Sequence, residues 1–266
     1  MKIKDLVEKI QKIDFTVTGS KSGKNGFIRD KSYSFDLIYA FIRSFYSYGR
    51  YDSVNKCITI RKDDLSFENL KMYVYDLFCL PKKKESVGGN DNYISETIAL
   101  LKSFNIINEK NKGEYCVKDM DLFFYILYRP ENAFILIYLA AYTILKENIM
   151  LQDLKEYISC KDDAASIKEK FESFRDKYKK IFDINNNYAD IITKHILNIF
   201  SSVNNGPYVS RSGNEQSDRE YRLYISVNQK GKGADKENNQ YLQTFDMEYV
   251  RRNIKDYLLE GNYDKN

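Results

Sequence analysis

A chain of 266 residues with 43% hydrophobic and 30% charged side chains can bury a proper core, and reads as a folded, soluble protein of one large domain or two small ones. The net charge of +4 is too small by itself to argue for a polyanionic partner. Four separated cysteines, none in a Cys-x-x-Cys pair, and a single histidine exclude a readable zinc set and a disulfide framework, so a reduced cytoplasm is the expected setting.

The first element, Lys2 to Ile13, places Ile3, Leu6, Val7, Ile10 and Ile13 on one helical face. The start lacks the pattern of a secretory signal, and export is not expected. "FTVTGSKSGKNGFIRDKS" follows as a loop or basic arm carrying Lys21, Lys24, Arg29 and Lys31, the kind of extension that lies in a minor groove or along phosphates. As a nucleotide loop it fails. "GSKSGKN" has three residues between its glycines where a P-loop has four, and Asn25 stands where Ser or Thr would hold magnesium.

Ser34 is placed to cap a helix carrying Phe35, Leu37, Ile38, Phe41, Ile42 and Phe45, with Gly49 just beyond its end. "KCITI" from Lys56 to Ile60 reads as a short strand, and Ser66 opens a helix that Pro81 stops. The basic turn "KKKESVGGND" brings Lys82, Lys83 and Lys84, and Asn90 or Asp91 is expected to cap a helix running to about Phe104. Within it, Ile94, Ile98, Leu101 and Phe104 form the buried stripe, leaving Asn92, Ser95, Glu96, Ala99, Lys102 and Ser103 outward. In "NIINEKNKGEYCVK" the period then changes from helical to alternating around a polar loop with Gly113.

From Asp119 onward the chain reads as mainly helical. "DLFFYILY", "ENAFILIYLAAYTILKEN", "LQDLKEYIS", "AASIKEKFESFRDKYKKIF" and "YADIITKHILNIFSSV" each carry an apolar face. The apolar run Ala133 to Leu145 falls short of the roughly 20 residues a bilayer requires and reads as a buried helix, so no membrane partner is expected. His195 reads as a partly exposed helical residue instead of a ligand or base, because no nucleophile or metal partner stands at a readable spacing. Tyr208 to Arg211 and Glu220 to Asn228 are expected as a C-terminal hairpin, followed by the basic loop "QKGKGADKENN" and a terminal helix.

The order helix, strand, helix, turn, helix, strand, loop, strand over residues 34 to 118 resembles winged-helix DNA-binding domains, and more loosely the recognition parts of type II restriction endonucleases. The resemblance implies that the last helix faces the major groove and the loop between strands forms the wing. On that reading Asn92 and Ser95 meet base edges, while Lys102, Lys110 and Lys112 suit phosphates. The charge is distributed accordingly: residues 1 to 118 hold 21 Lys and Arg against 15 Asp and Glu, and the remainder holds 21 against 23.

The sequence thus predicts a mainly α protein with minor β: a basic arm and winged helix over 1–118, then a helical bundle with a C-terminal β-hairpin and terminal helix over 119–266. Its partner is double-stranded DNA, in restriction or transcriptional control, with no cofactor, as a homodimer or within a larger complex. Arg211, Arg219, Arg222, Lys230 and Lys232 supply a second nucleic-acid surface. One alternative is a magnesium-dependent endonuclease of the PD-(D/E)xK type, for which Asp218, Glu220 and Lys230 are the nearest catalytic candidates. That site lacks a carboxylate, because Asn228 stands where an acidic residue would hold the metal. The other alternative is a winged helix that serves as a protein-interaction scaffold.

Overall fold

The computed structural model describes residues 1–13, 35–64, 69, 87–160, 164–184, 186–207 and 246–259. Their elements are helices α1 (Ile3–Gln11) and α2 (Phe35–Tyr48), strands β1 (Arg50–Asp52) and β2 (Cys57–Arg61), helix α3 (Val87–Ser103), and strands β3 (Ile107–Asn111) and β4 (Glu114–Val117). Six helices follow: α4 (Met120–Tyr128), α5 (Pro130–Glu147), α6 (Leu151–Ile158), α7 (Ala164–Phe182), α8 (Asn186–Asn204) and α9 (Met247–Asn253), the last leading into a 3-10 turn, Lys255–Tyr257. The described chain is therefore mainly helical with one small antiparallel sheet. None of the described helices is long and apolar enough to cross a membrane. The elements gather into two compact units.

The first unit holds α2, the sheet, α3, α4 and the opening of α5. Its centre is the apolar stripe of α2, where Ile38, Phe41, Ile42 and Phe45 are at most 1% exposed. Phe45 meets Phe123 of α4 edge-on with ring centroids 6.0 Å apart, and α2 also packs on α3 and β2. Burying each such ring contributes about 1.5–3 kcal/mol, which makes α2 the organising element of this unit. Gly49 ends the helix because of space. A Cβ there would stand 2.5 Å from Cγ2 of Ile58 and 2.5 Å from the carbonyl oxygen of Phe45. Only glycine lets α2 turn so closely onto β2.

The four strands are hydrogen-bonded in the order β1-β2-β4-β3, every pair antiparallel. Thr59 of β2 lies opposite Cys116 of β4, which in turn lies opposite Asn108 of β3. Strand β1 is an addition to the expected elements: its Arg-Tyr-Asp sequence has no apolar alternation, and it is held by backbone pairing to β2. Lys56 stands in the turn with φ 50°, so β2 starts at Cys57, one residue later than expected.

Helix α3 corrects a second boundary. It begins at Val87, so Asn90 and Asp91 lie inside the helix and do not cap it; the basic turn before it lies outside the described residues. Gly88 and Gly89 are poor helix formers, and the cap-forming residues after them offered the stronger local signal. Its far end closes as a Schellman motif. Asn105 takes φ 55°, the Ile106 N–H donates to the Leu101 carbonyl at 2.9 Å, and the Asn105 N–H donates to that of Lys102 at 3.0 Å.

Asp119 caps α4 by accepting the Leu122 N–H at 3.0 Å, and Arg129 is extended before Pro130, which opens α5. Glu131 and Asn132 are each 1% exposed at this junction. Their polar atoms are satisfied: Asn132 donates to the Tyr125 carbonyl at 2.6 Å, and Glu131 accepts from Arg129 at 2.9 Å and from the Asp246 N–H at 2.7 Å.

The second unit contains α1, the rest of α5, and α6 to α9. Helices α6, α7 and α8 pack on one another, and α9 packs on α8. The stripe Ile167, Phe171, Phe174, Tyr178 and Phe182 of α7 recurs at the helical period, as its sequence requires. Arg251 of α9 donates to the Val203 and Ser202 carbonyls at 3.1 and 3.4 Å, satisfying the open end of α8. Asn204 ties the following chain in by accepting the Leu259 N–H at 2.9 Å.

Candidate nucleic-acid interface

The surface expected to meet DNA is carried by α3 and the β3–β4 pair. The helix buries Ile94, Thr97, Ile98, Leu100 and Leu101, and Phe104 just beyond its end is buried with them. This orientation leaves Ser95 and Lys102 exposed and Ala99 and Ser103 half-buried. Asn92 falls in the second turn of the longer helix, nearly three turns before Lys102 and not at the helix start. Nothing is described of its side chain.

Strands β3 and β4 are joined at Lys112 and Gly113, where φ of 77° at Gly113 is a conformation few side chains adopt. A register shift between Glu109 and Asn111 leaves Lys110 as the extra residue of a bulge. The turn is clamped from both sides. Its Gly113 N–H donates to Oε1 of Glu109 at 2.9 Å, and its Gly113 carbonyl accepts the Lys62 N–H at 2.7 Å.

The cations here stand among carboxylates. Lys102 Nζ lies 2.8 Å from Glu109 Oε2, Lys110 Nζ 3.9 Å from Asp52 Oδ2, Arg50 3.1 Å from Asp64, and Arg61 3.8 Å from Glu114. Lys62 and Lys112 are exposed beside them. The stretches 50–64 and 102–118 together hold eight Lys and Arg against five Asp and Glu, a surface of mixed sign with a positive excess. The Gly113 hydrogen bond, and then Lys102, hold the Glu109 carboxyl below its ordinary range, so it stays ionised. Asp52 is held low as well, first by the Asn55 side chain and then by backbone N–H groups of its own turn.

The structure thus brings Lys102, Lys110 and Lys112 onto neighbouring elements, and adds Glu109 as the partner of Lys102 and Asp52 as that of Lys110. Sequence reading does not single out Glu109. Its spacing of four before Gly113 was the available signal, since a carboxylate there can reach the amide of a tight turn. Lys21, Lys24, Arg29, Lys31, Lys82, Lys83, Lys84, Arg211, Arg219, Arg222, Lys230 and Lys232 lie outside the described residues, as do Asp218 and Glu220.

Elsewhere, Cys57, Cys116 and Cys160 are buried and among the described residues form no disulfide, and burial raises the Cys116 thiol above its ordinary range. His195 is half-buried within α8. Among the described residues no group of three or more His, Cys, Asp and Glu is placed to hold a metal ion. No known family, no curated protein and no solved structure matches this chain.

Proposed function

We propose that the protein binds duplex DNA through a winged helix formed by α2, β2, α3, β3 and β4, in a cytoplasmic setting of DNA restriction or transcriptional control. The observation that carries this reading is the strand order. In β2-β4-β3 the second strand after α2 pairs with the last strand, and the hairpin directly follows α3. That is the connectivity in which a wing flanks a groove-reading helix. The exposed face of α3 offers Ser95 toward base edges, and the adjoining hairpin offers Lys110 and Lys112 toward phosphates. The flanking lysines Lys82, Lys83 and Lys84 and the basic arm extend the phosphate contacts.

Titration of the full chain with a random duplex tests this reading. Neutralising several phosphates releases counterions, so affinity should fall by at least about ten-fold between about 50 and about 200 mM salt. A protein-interaction scaffold gives no salt-sensitive binding to DNA, and that result would remove the proposal.

A further inference from the structure

We infer that Glu109 is a positioning residue of this interface: one oxygen fixes the wing turn while the other pairs with Lys102 and offsets its charge toward phosphate. The inference rests on the DNA-binding reading of α3 and the wing. It goes beyond that reading in giving an acidic residue control over both the turn and the helix.

The two oxygens of Glu109 have separate tasks. Oε1 accepts the Gly113 N–H at 2.9 Å, at the residue whose φ of 77° defines the turn. Oε2 accepts from Lys102 Nζ at 2.8 Å, in the last turn of the proposed reading helix. One carboxylate therefore links the end of α3 to the tip of the wing. Among the described residues, Tyr115, opposite Glu109 on β4, and Lys62 after β2 are the other titratable groups that face it.

The charge arithmetic follows from this geometry. A lysine already paired to a carboxylate at 2.8 Å displaces fewer counterions from DNA than a lone one. Both partners are partly exposed, with 41% of the Lys102 side chain and 32% of that of Glu109 accessible, so the pair adds little to stability. Its effect is on binding instead. The pair makes Lys102 a tether of the wing and leaves the salt dependence to Lys112, to Lys110, whose partner Asp52 stands farther off at 3.9 Å, and to the lysines outside the helix.

Glutamine separates the two tasks. In Glu109→Gln the amide oxygen still accepts the Gly113 N–H, while Lys102 loses its counter-charge. The parent, Glu109→Gln, Lys102→Gln and the double variant should be titrated with random duplex at about 50 and about 200 mM salt. Amide exchange at Gly113 should be followed in the free proteins, with Glu109→Ala included. Glu109→Gln should steepen the salt slope by about 0.9, an extra three- to four-fold loss of affinity across that range. Lys102→Gln should leave the parental slope unchanged and cancel the gain in the double variant. Gly113 exchange should stay slow in Glu109→Gln and quicken in Glu109→Ala.

Equal effects of Lys102→Gln in both backgrounds would show that Lys102 leaves Glu109 for phosphate, and would overturn the inference alone. Unchanged Gly113 exchange in Glu109→Ala would overturn the clamp. Absence of salt-dependent binding by the parent would overturn the DNA-binding reading and this inference together.

Discussion

Replacing Ile149 by glycine should stabilise the protein, and the reason is visible at four helix ends. Helices α3, α5, α7 and α8 are each followed by a left-handed residue: Asn105, Ile149, Asp183 and Asn205, with φ of 55°, 56°, 51° and 52°. In each case the next N–H reaches back to a carbonyl of the last turn: Ile106 to Leu101, Met150 to Leu145, Ile184 to Lys179 and Gly206 to Ser201, at 2.9–3.2 Å. Asn and Asp tolerate this conformation. Isoleucine does not, because its branched Cβ crowds the following carbonyl, at a cost of roughly 1–2 kcal/mol.

Ile149 is 82% exposed, so its removal forfeits little burial. The strain relieved is opposed by about 0.5–1 kcal/mol of extra backbone entropy that glycine loses on folding. The balance is a gain of about 0.5–1 kcal/mol, or roughly 2 °C in melting temperature for a chain of this size. Urea unfolding monitored by far-UV circular dichroism measures it, with Asp183→Gly as a comparison expected to gain less. An unchanged or lowered midpoint for Ile149→Gly would refute the reasoning, because it would mean that the left-handed isoleucine carries no strain.

Three further outcomes are expected. Tyr178 is fully buried with a hydroxyl that has no hydrogen-bond partner among the described residues, so Tyr178→Phe should hold or raise stability by up to about 1–2 kcal/mol; a clear loss in the same unfolding experiment would reveal a partner for that hydroxyl. Asn92→Ala should lose about 1–3 kcal/mol against a preferred site while barely changing non-specific affinity, and a uniform loss across unrelated duplexes would show that Asn92 only positions α3. With magnesium or manganese the protein should leave plasmid and linear DNA intact, and Asp218→Ala should leave affinity unchanged or slightly raised. Cleavage by the parent that is lost in Asp218→Ala or Lys230→Ala would establish the endonuclease instead.

The elements most legible in the sequence were those whose apolar period is dense. The stripe from Ile167 to Phe182 marks α7 at both ends, and Pro130 marks the opening of α5. Boundaries went astray where residues of low propensity sit inside an element, as Gly88 and Gly89 do in α3. Strand β1 was hidden for a different reason: Arg50, Tyr51 and Asp52 pair through their backbones, which side-chain patterns do not report. At the candidate site the outward face of α3 could be read from its period, but the pairing of Lys102 with Glu109, seven residues away, depends on how the Schellman turn aims β3. A linear charge count registers both residues and misses that they offset each other.

The central claim, that the wing and the basic turn before α3 hold duplex DNA through phosphates, is tested most directly by one five-fold variant. Lys82, Lys83, Lys84, Lys110 and Lys112 are replaced by alanine, and binding to several unrelated duplexes is titrated at two salt concentrations beside the parent. The account predicts a retained fold by circular dichroism, weaker binding to every duplex alike, and a salt slope flattened by up to about four units. Parental affinity at the same salt would contradict it, and would place the DNA-binding surface elsewhere on the chain.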